Sequence, residues 1–364
     1  MNAPPLPKKP RKWLTWIAIT LAIGGGCLFI YGPISLLLSI FTPPPITDHD
    51  HLGGLEETSV TLSDLRFEGT VISSRDNSLT LYTAKEETTF YKSNWRIYAL
   101  AGPNSLGHLV VFEIEQSANE YRFVLIDFNK GTAKQVHSGA GDVIWDDVVG
   151  EMRIHPKQDS IFFFRGHGSR QYPGAYVNTG SLMKLDLSTG TESEITRDVK
   201  EGDFAISADG ERIFFARSSN LPEPEITELS LATGLSKSLG SGWYCNLSFD
   251  SNSVEIRDGS RKPVRVYDIK SGESKPSQGQ DLYFYPHYRV SQTLYVGESL
   301  PLNRESVKYF PATGSISGPH MMMRLGVFEP TAKRAAILRA DLDRYDSIAY
   351  APQQYTAKGL SLKL

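Results

Sequence analysis

The chain has 364 residues, room for one large β domain or two ordinary ones, and its 17 Phe, 17 Tyr and 5 Trp among short Val/Ile/Leu runs favour strands over helices. The formal charge of -3 is unevenly spread. Lys8, Lys9, Arg11 and Lys12 precede the first apolar run and every acidic residue follows it, so residues 48–364 carry 34 cations against 41 acids. That balance argues against a nucleic-acid-binding surface, which needs clustered Lys and Arg. Two cysteines, Cys27 and Cys245, rule out a disulfide scaffold.

Taken in order, residues 1–12 form a basic tail. Residues 13–41 follow with no charged side chain over 29 positions. A helical span needs roughly 20 apolar residues, so this stretch predicts one transmembrane helix, with Trp13, Trp16 and Tyr31 as interfacial rings. The cations before it and Asp48 and Asp50 after it predict a cytosolic N-terminus and a periplasmic or extracellular body. The run is too long for a signal-peptide core and no small-x-small site follows, so the segment reads as an uncleaved signal anchor. Residues 42–57 form a Pro-rich linker. Its Asp48-His49-Asp50-His51 has metal-binding side chains, but a linker fixes no geometry for them, and no metal is assigned.

Residues 58–364 read as a repeat array. The clearest unit is residues 205–217, strand, Asp209-Gly210 turn, strand. Polar turns with Gly recur at Lys130-Gly131, Thr189-Gly190, Thr233-Gly234, Ser271-Gly272 and Thr313-Gly314, the last four separated by 44, 38 and 42 residues. Before each of the last four comes an alternating strand (182–187, 226–231, 264–269, 307–310). Strongly apolar strands at 160–165, 212–217 and 335–339 read as second strands. A period near 40 built of short strands is the signature of propeller blades. With looser units at 79–128 and a final one at 347–359, the spacing predicts an all-β fold, a single β-propeller of about seven four-stranded blades. Ring closure is expected to borrow a strand from the other terminus.

Residues 207–215 followed by 228–234 resemble the TolB-type (WD-like) propeller repeat, Ser-Pro-Asp-Gly-x-x-Ile-x-Phe, and residues 155–163 with 185–190 resemble a second copy. The resemblance implies a propeller fold and an extracytoplasmic habit. It implies no activity, because propellers host unrelated functions. The separate N-terminal α/β domain of TolB has no counterpart in this chain, and an anchor replaces its cleaved signal.

Gly131 and Gly190 are 59 residues apart, about 15 more than a blade, and the surplus falls at residues 166–180, between second and third strands. His167, Arg170, Tyr172 and Tyr176 on this Gly-rich insert are good contact chemistry, while the bland alternative is a solvated loop. Blade-to-blade segments share that face, so Trp145, Asp147, Asp203 and Trp243 are candidates to line a central pocket suited to a sugar or a cationic group. They equally suit blade core and turn capping. No Gly-x-Ser-x-Gly, His-Glu-x-x-His, Cys-x-x-Cys or phosphate loop occurs. The sequence therefore assigns no catalytic residue and no cofactor. It points to a membrane-anchored, non-enzymatic scaffold for a protein or peptide partner, the alternative being a saccharide-binding module or propeller enzyme that uses a central pocket.

Overall fold

A computed structural model describes residues 58–363 apart from 116, 141–148, 173–174, 202–203, 219–222, 249–250, 259–262, 278–284, 300–322, 343–346 and 358–361. All fall in the second of the chain's two units, Leu52–Leu364. The expected tail, anchor and linker, residues 1–57, lie outside the described residues, as does Thr313-Gly314. Among the described residues no helix is long and apolar enough to cross a membrane.

The strands run in antiparallel meanders. After β1 (Thr58–Ser59), sheet 1 holds β2 (Thr70–Arg75), β3 (Ser78–Tyr82) and β4 (Glu87–Lys92), and sheet 2 holds β5 (Arg96–Ala101), β6 (His108–Glu115), β7 (Glu120–Asp127) and β8 (Thr132–Ala140). Sheet 3 holds β9 (Val149–Ile154), β10 (Ser160–Tyr172), β11 (Ala175–Asp186) and β12 (Glu192–Lys200). Sheet 4 holds β13 (Ala205–Ile206), β14 (Arg212–Arg217), β15 (Glu225–Ser230) and β16 (Ser236–Ser241), joined to sheet 3 by one pairing, Val199 opposite Arg217. Sheet 5 holds β17 (Tyr244–Leu247), β18 (Ser253–Arg257), β19 (Pro263–Asp268) and β20 (Ser274–Pro276). Sheet 6 holds β21 (Tyr285–Arg289), β22 (Tyr295–Ser299), β23 (Met323–Glu329) and β24 (Arg334–Leu342).

The two ends of the described chain are shared out between sheets 1 and 6. β25 (Ile348–Ala351) becomes the first strand of sheet 1, antiparallel to β2 with Ile72 opposite Ala349. β26 (Leu362–Lys363) lies parallel to β4, and β1 lies parallel to β24. The described strands thus make six four-stranded meanders where the spacing predicted about seven. Two assignments account for the difference. Residues 335–339 are the fourth strand of sheet 6, and 348–351 complete sheet 1 instead of starting a further unit.

The Gly rulers mark third-to-fourth strand turns. Gly131, Gly190, Gly234 and Gly272 have φ of 64°, 70°, 70° and 73°, the left-handed region that a Cβ disfavours. Each glycine N–H donates back to the last residue of the third strand, at 2.8–2.9 Å. In three of the turns that residue is an aspartate: Asp127, Asp186 and Asp268 each turn Oδ1 onto backbone N–H groups two or three residues on. Hydrogen bonds from the Ser188 hydroxyl and the Thr189 N–H hold the Asp186 carboxyl down at about 2.

The second strands are apolar without alternation because sheets cover them on both faces. In β10, Ile161 and Phe163 enter a cluster with sheet 2, while Phe162 and Phe164 enter one with sheet 4. In β14, Ile213 and Phe215 face sheet 3 and Phe214 and Ala216 face sheet 5. In β6, Leu109 and Val111 face sheet 1 and Val110, Phe112 and Ile114 face sheet 3. A further cluster joins sheet 6 to sheet 1 through Val296, Leu325 and Val327 against Val71 and Tyr82. Between sheets 5 and 6 Arg289 Nη1 meets Glu255 Oε1 at 3.2 Å.

Candidate functional site

The insert is not a loop. Pairing of β10 with β11 continues past Gly166↔Gly180, resumes after a bulge at Gly168↔Thr179, and runs to Tyr172↔Ala175. Gly180 permits the bulge: a Cβ there would stand 1.9 Å from the Arg165 carbonyl oxygen. The result is a two-stranded ribbon that outruns its neighbours. The described β9 pairing on one side ends at Arg165↔Val149, and the β12 pairing on the other begins at Thr179↔Lys200. Arg170, Tyr172 and Tyr176 sit on the backbone of this ribbon, and their side chains lie outside what is described.

His167 stands at the root of the ribbon, exposed, with Nε2 3.0 Å from Ser181 Oγ. The Ser181 hydroxyl donates to Glu194 Oε2 at 2.9 Å, so it accepts from the imidazole. Ser181 is fully buried. The order is thus His–Ser–Glu, with the proton of a buried hydroxyl directed at the carboxylate. The ribbon root is also tied to sheet 4's far neighbour. Glu201 N–H donates to Asn178 O at 2.8 Å, and Lys200 Nζ, 4% exposed as a residue, lies 4.3 Å from the Tyr244 ring centre and 5.6 Å from that of Trp243. Trp243 is half-buried and its backbone N–H donates to Arg257 O at 2.8 Å. It therefore belongs to the packing of this connection and does not line the cavity described next. Trp145, Asp147 and Asp203 fall outside the described residues.

A cavity of about 380 Å³ lies where first strands converge, and a second lobe of about 340 Å³ adjoins it through Arg153, Tyr288 and Tyr350. Its walls come from β9, β13, β17, β21 and β25, with β5 added in the second lobe. First strands and first-to-second turns supply the lining, whereas the sequence reading looked to blade-to-blade segments. The guanidinium of Arg153 stands 5.8 Å from the Phe204 ring centre and 6.0 Å from that of Tyr288, on sheets 4 and 6. Tyr288 donates to Ile348 O at 3.1 Å and its ring centre is 5.9 Å from that of Tyr350. Burial pushes the Tyr350 phenol up to about 12.

Sequence reasoning missed these residues, although a signal exists. Arg153, Ala205, Asn246 and Arg289 each stand one residue before the aliphatic residue (Ile154, Ile206, Leu247, Val290) that leads into a first-to-second turn, whereas Tyr350 sits on β25, which has no such turn because its sheet neighbour β2 comes from the other end of the chain. Aligning the turns by that step would have grouped those four positions; Tyr350 could be placed only by the strand exchange between the termini. Among the described residues no group of three or more His, Cys, Asp or Glu is placed to hold a metal ion.

No family model matches the chain, and no curated protein matches it. Among solved structures, the crystal structure of TolB from Acinetobacter baumannii is similar at 16% identity with a TM-score of 0.50, over 77% of this chain and 66% of that one. The chain thus spans slightly under two thirds of that structure's length. A putative TolB from Agrobacterium tumefaciens (10% identity, TM-score 0.46, 79% of this chain and 98% of that one) and an oligogalacturonate lyase in complex with manganese (12%, 0.47, 63% and 70%) are also similar. The likeness to the Acinetobacter structure shows the fold alone: an all-β, TolB-like propeller architecture.

Proposed function

We propose that the chain is a membrane-anchored, extracytoplasmic propeller of six blades that acts as a non-enzymatic scaffold, holding a protein or peptide partner on the β10–β11 ribbon. The observation that carries this is the ribbon itself. Past Arg165 on one strand and before Thr179 on the other, no third strand pairs with it among the described residues, where the one backbone bond given is from Glu201 N–H to Asn178 O. A two-stranded ribbon of this kind can serve as a template for an added strand, with main-chain hydrogen bonds supplying affinity and flanking side chains supplying selection. Arg170, Tyr172 and Tyr176 are the side chains to make those flanking contacts. The uncharged stretch 13–41, basic before and acidic after, supports anchoring with the N-terminus cytosolic and the ribbon outside.

The test is chemical crosslinking of the full-length protein in its native membrane, beside a variant in which residues 168–177 are replaced by a short Gly-Ser turn. A species captured by the parent and lost from the variant supports the scaffold. A species captured equally by both places the partner elsewhere, and capture by neither removes the reading. Protease added to intact cells checks the topology: a propeller spared by protease would mean that the outward assignment is wrong.

A further inference from the structure

We infer that the β9–β10 turn, residues 155–159, is an acid-sensitive latch: protonation of His155 frees the first half of the turn from sheets 2 and 4 while the rest of the fold stays closed. The inference concerns a different place from the ribbon and stands independently of it. Geometry carries it. His155 is 3% exposed and ties three sheets at once. Its backbone N–H donates to Ser160 O at 2.8 Å within sheet 3, and its carbonyl accepts from Asn104 Nδ2 at 3.0 Å on the β5–β6 turn of sheet 2. Its ring lies against the β13–β14 turn of sheet 4, where a Cβ on Gly210 would stand 2.3 Å from Nε2. Beside it, Pro156 O accepts from the Ser105 hydroxyl of sheet 2 at 2.6 Å.

The ring is the part that a proton changes. Nδ1 accepts the Lys157 N–H at 3.0 Å, which closes the turn on itself and puts the proton of the neutral imidazole on Nε2. An imidazolium carries a proton on both nitrogens, so Nδ1–H then faces Lys157 N–H, donor against donor. A buried ring set on Gly210 turns aside only if the turn moves with it. Burial is the largest influence on the ring and holds it below its usual 6.5; the Gly210 backbone opposes this, Lys184 on β11 and Lys157 on the turn add to it, and Asp209 on the sheet 4 turn opposes it. Asp209 is itself engaged, by the Ser207 hydroxyl, by the Glu211 N–H at 2.9 Å and by Arg212 Nη2 at 3.8 Å. Asn104 and Ser105 of sheet 2 do not titrate. The open turn therefore binds the proton more readily than the closed one, and opening is favoured as pH falls below about 6.5. At the far end of the turn Asp159 Oδ1 lies 2.8 Å from His108 Nδ1, a contact that a charge on His108 strengthens, so the release is confined to residues 155–157. Ile154 and Pro156 line both lobes of the cavity, and the release loosens that wall in acid.

The test is hydrogen exchange of the purified full-length protein, read by mass spectrometry on peptides covering residues 155–160 and residues 109–112 of β6. It is run from about pH 7.5 to about pH 5, without urea and in low urea, each rate taken relative to an unstructured chain at the same pH. Protection over 155–160 is expected to fall by up to about tenfold per pH unit below about pH 6.5, as uptake of one proton requires, and to ignore low urea. The β6 peptide, which opens only when the whole domain does, is expected to respond to urea. His155→Gln keeps an acceptor for the Lys157 N–H but has no titrating ring, and is expected to remove the pH dependence over 155–160. Protection there that stays flat across the pH series overturns the inference, as does a pH dependence that survives in His155→Gln. A urea response over 155–160 equal to that of β6 also overturns it, because the opening is then global. The unsubstituted protein decides the matter even where the variant fails to fold.

Discussion

Gly210 shows how one atom fixes a junction. Its φ of 81° closes the turn from β13 to β14, and a Cβ there would stand 2.2 Å from Cε1 of His155, which is buried on sheet 3. Gly234 has the same backbone sense, φ 70°, with nothing within 4 Å of the position of its missing Cβ. Gly234→Ala is therefore expected to cost about 1 kcal/mol in urea denaturation, the left-handed penalty alone, and Gly210→Ala clearly more. Equal costs would contradict the close packing of His155. Burial holds His155 below its usual 6.5, against the opposing pull of the Gly210 backbone. The unfolded chain then binds that proton more readily, so the stability His155 allows is complete above about pH 6.5 and declines as pH falls below it. Asp186 adds a second, more acidic window: held at about 2, its contribution is present above about pH 4 and is lost as pH falls towards about 2. In a urea series against pH, His155→Gln is expected to flatten the mildly acidic limb. The deficit of Asp186→Asn relative to the parent should vanish at the acid end. The glycines were legible as rulers because only a residue without a Cβ sits easily in those turns. Arg153 and Arg289 were not, because a strand sequence does not say which end of the sheet lies on the axis.

At the scale of elements, the most informative strand is β6. Its run Leu109-Val110-Val111-Phe112 is interrupted by Glu113, which is fully buried and takes hydrogen bonds from Tyr91 at 2.6 Å, Ser93 at 2.9 Å and Arg122 Nε at 2.7 Å. Trp95 lies 4.3 Å from the Arg122 guanidinium and closes the network against solvent. Glu113→Ala strands that cation and two hydroxyls between sheets 1 and 2, and is expected to destabilise by about 3 kcal/mol or more. Phe163→Ala, at a fully buried ring between sheets 2 and 3, should cost about 3–5 kcal/mol by its cavity alone. Thermal and urea unfolding of both variants check these values. The same two-sided burial explains what sequence reading recovered and where it slipped. Continuous apolar runs at 160–165 and 212–217 mark true second strands. Residues 335–339 imitate one because Ala335 and Ala336 are buried and Leu338 packs in the cluster with sheet 1, while β1 pairs along the strand's edge at Arg334 and Ala335. The insert's position was legible from the Gly131–Gly190 gap. Its ribbon form was not, since Gly166, Gly168 and Gly174 signal loops by composition, and a bulge at Gly166/Gly168 restored the register instead.

At the scale of the whole molecule, the ends of the described chain meet in the sheets at which it begins and finishes. β25 supplies the first strand of sheet 1, β26 its outer edge, and β1 the outer edge of sheet 6. Borrowing of a strand between termini was foreseen, and the described strands make six meanders against an expected count of about seven, because 348–351 served an existing sheet. Removing residues 348–364 takes Ala349 and Ala357 out of the sheet 1–sheet 2 cluster and uncovers β2 along its length. The loss should be on the order of 5 kcal/mol, comparable with the whole stability of an ordinary domain, and circular dichroism of the truncated chain should show a collapsed melting transition. Under the proposed scaffold role, a frame of this kind would let a two-stranded extension present the same edge to every partner. The most direct test of that claim is photocrosslinking in the native membrane, with the photoreactive residue placed at Tyr172 on the ribbon or at Lys275 on β20. A discrete adduct at 172 and none at 275 is the predicted result; adducts at both positions alike, or at 275 alone, would contradict it.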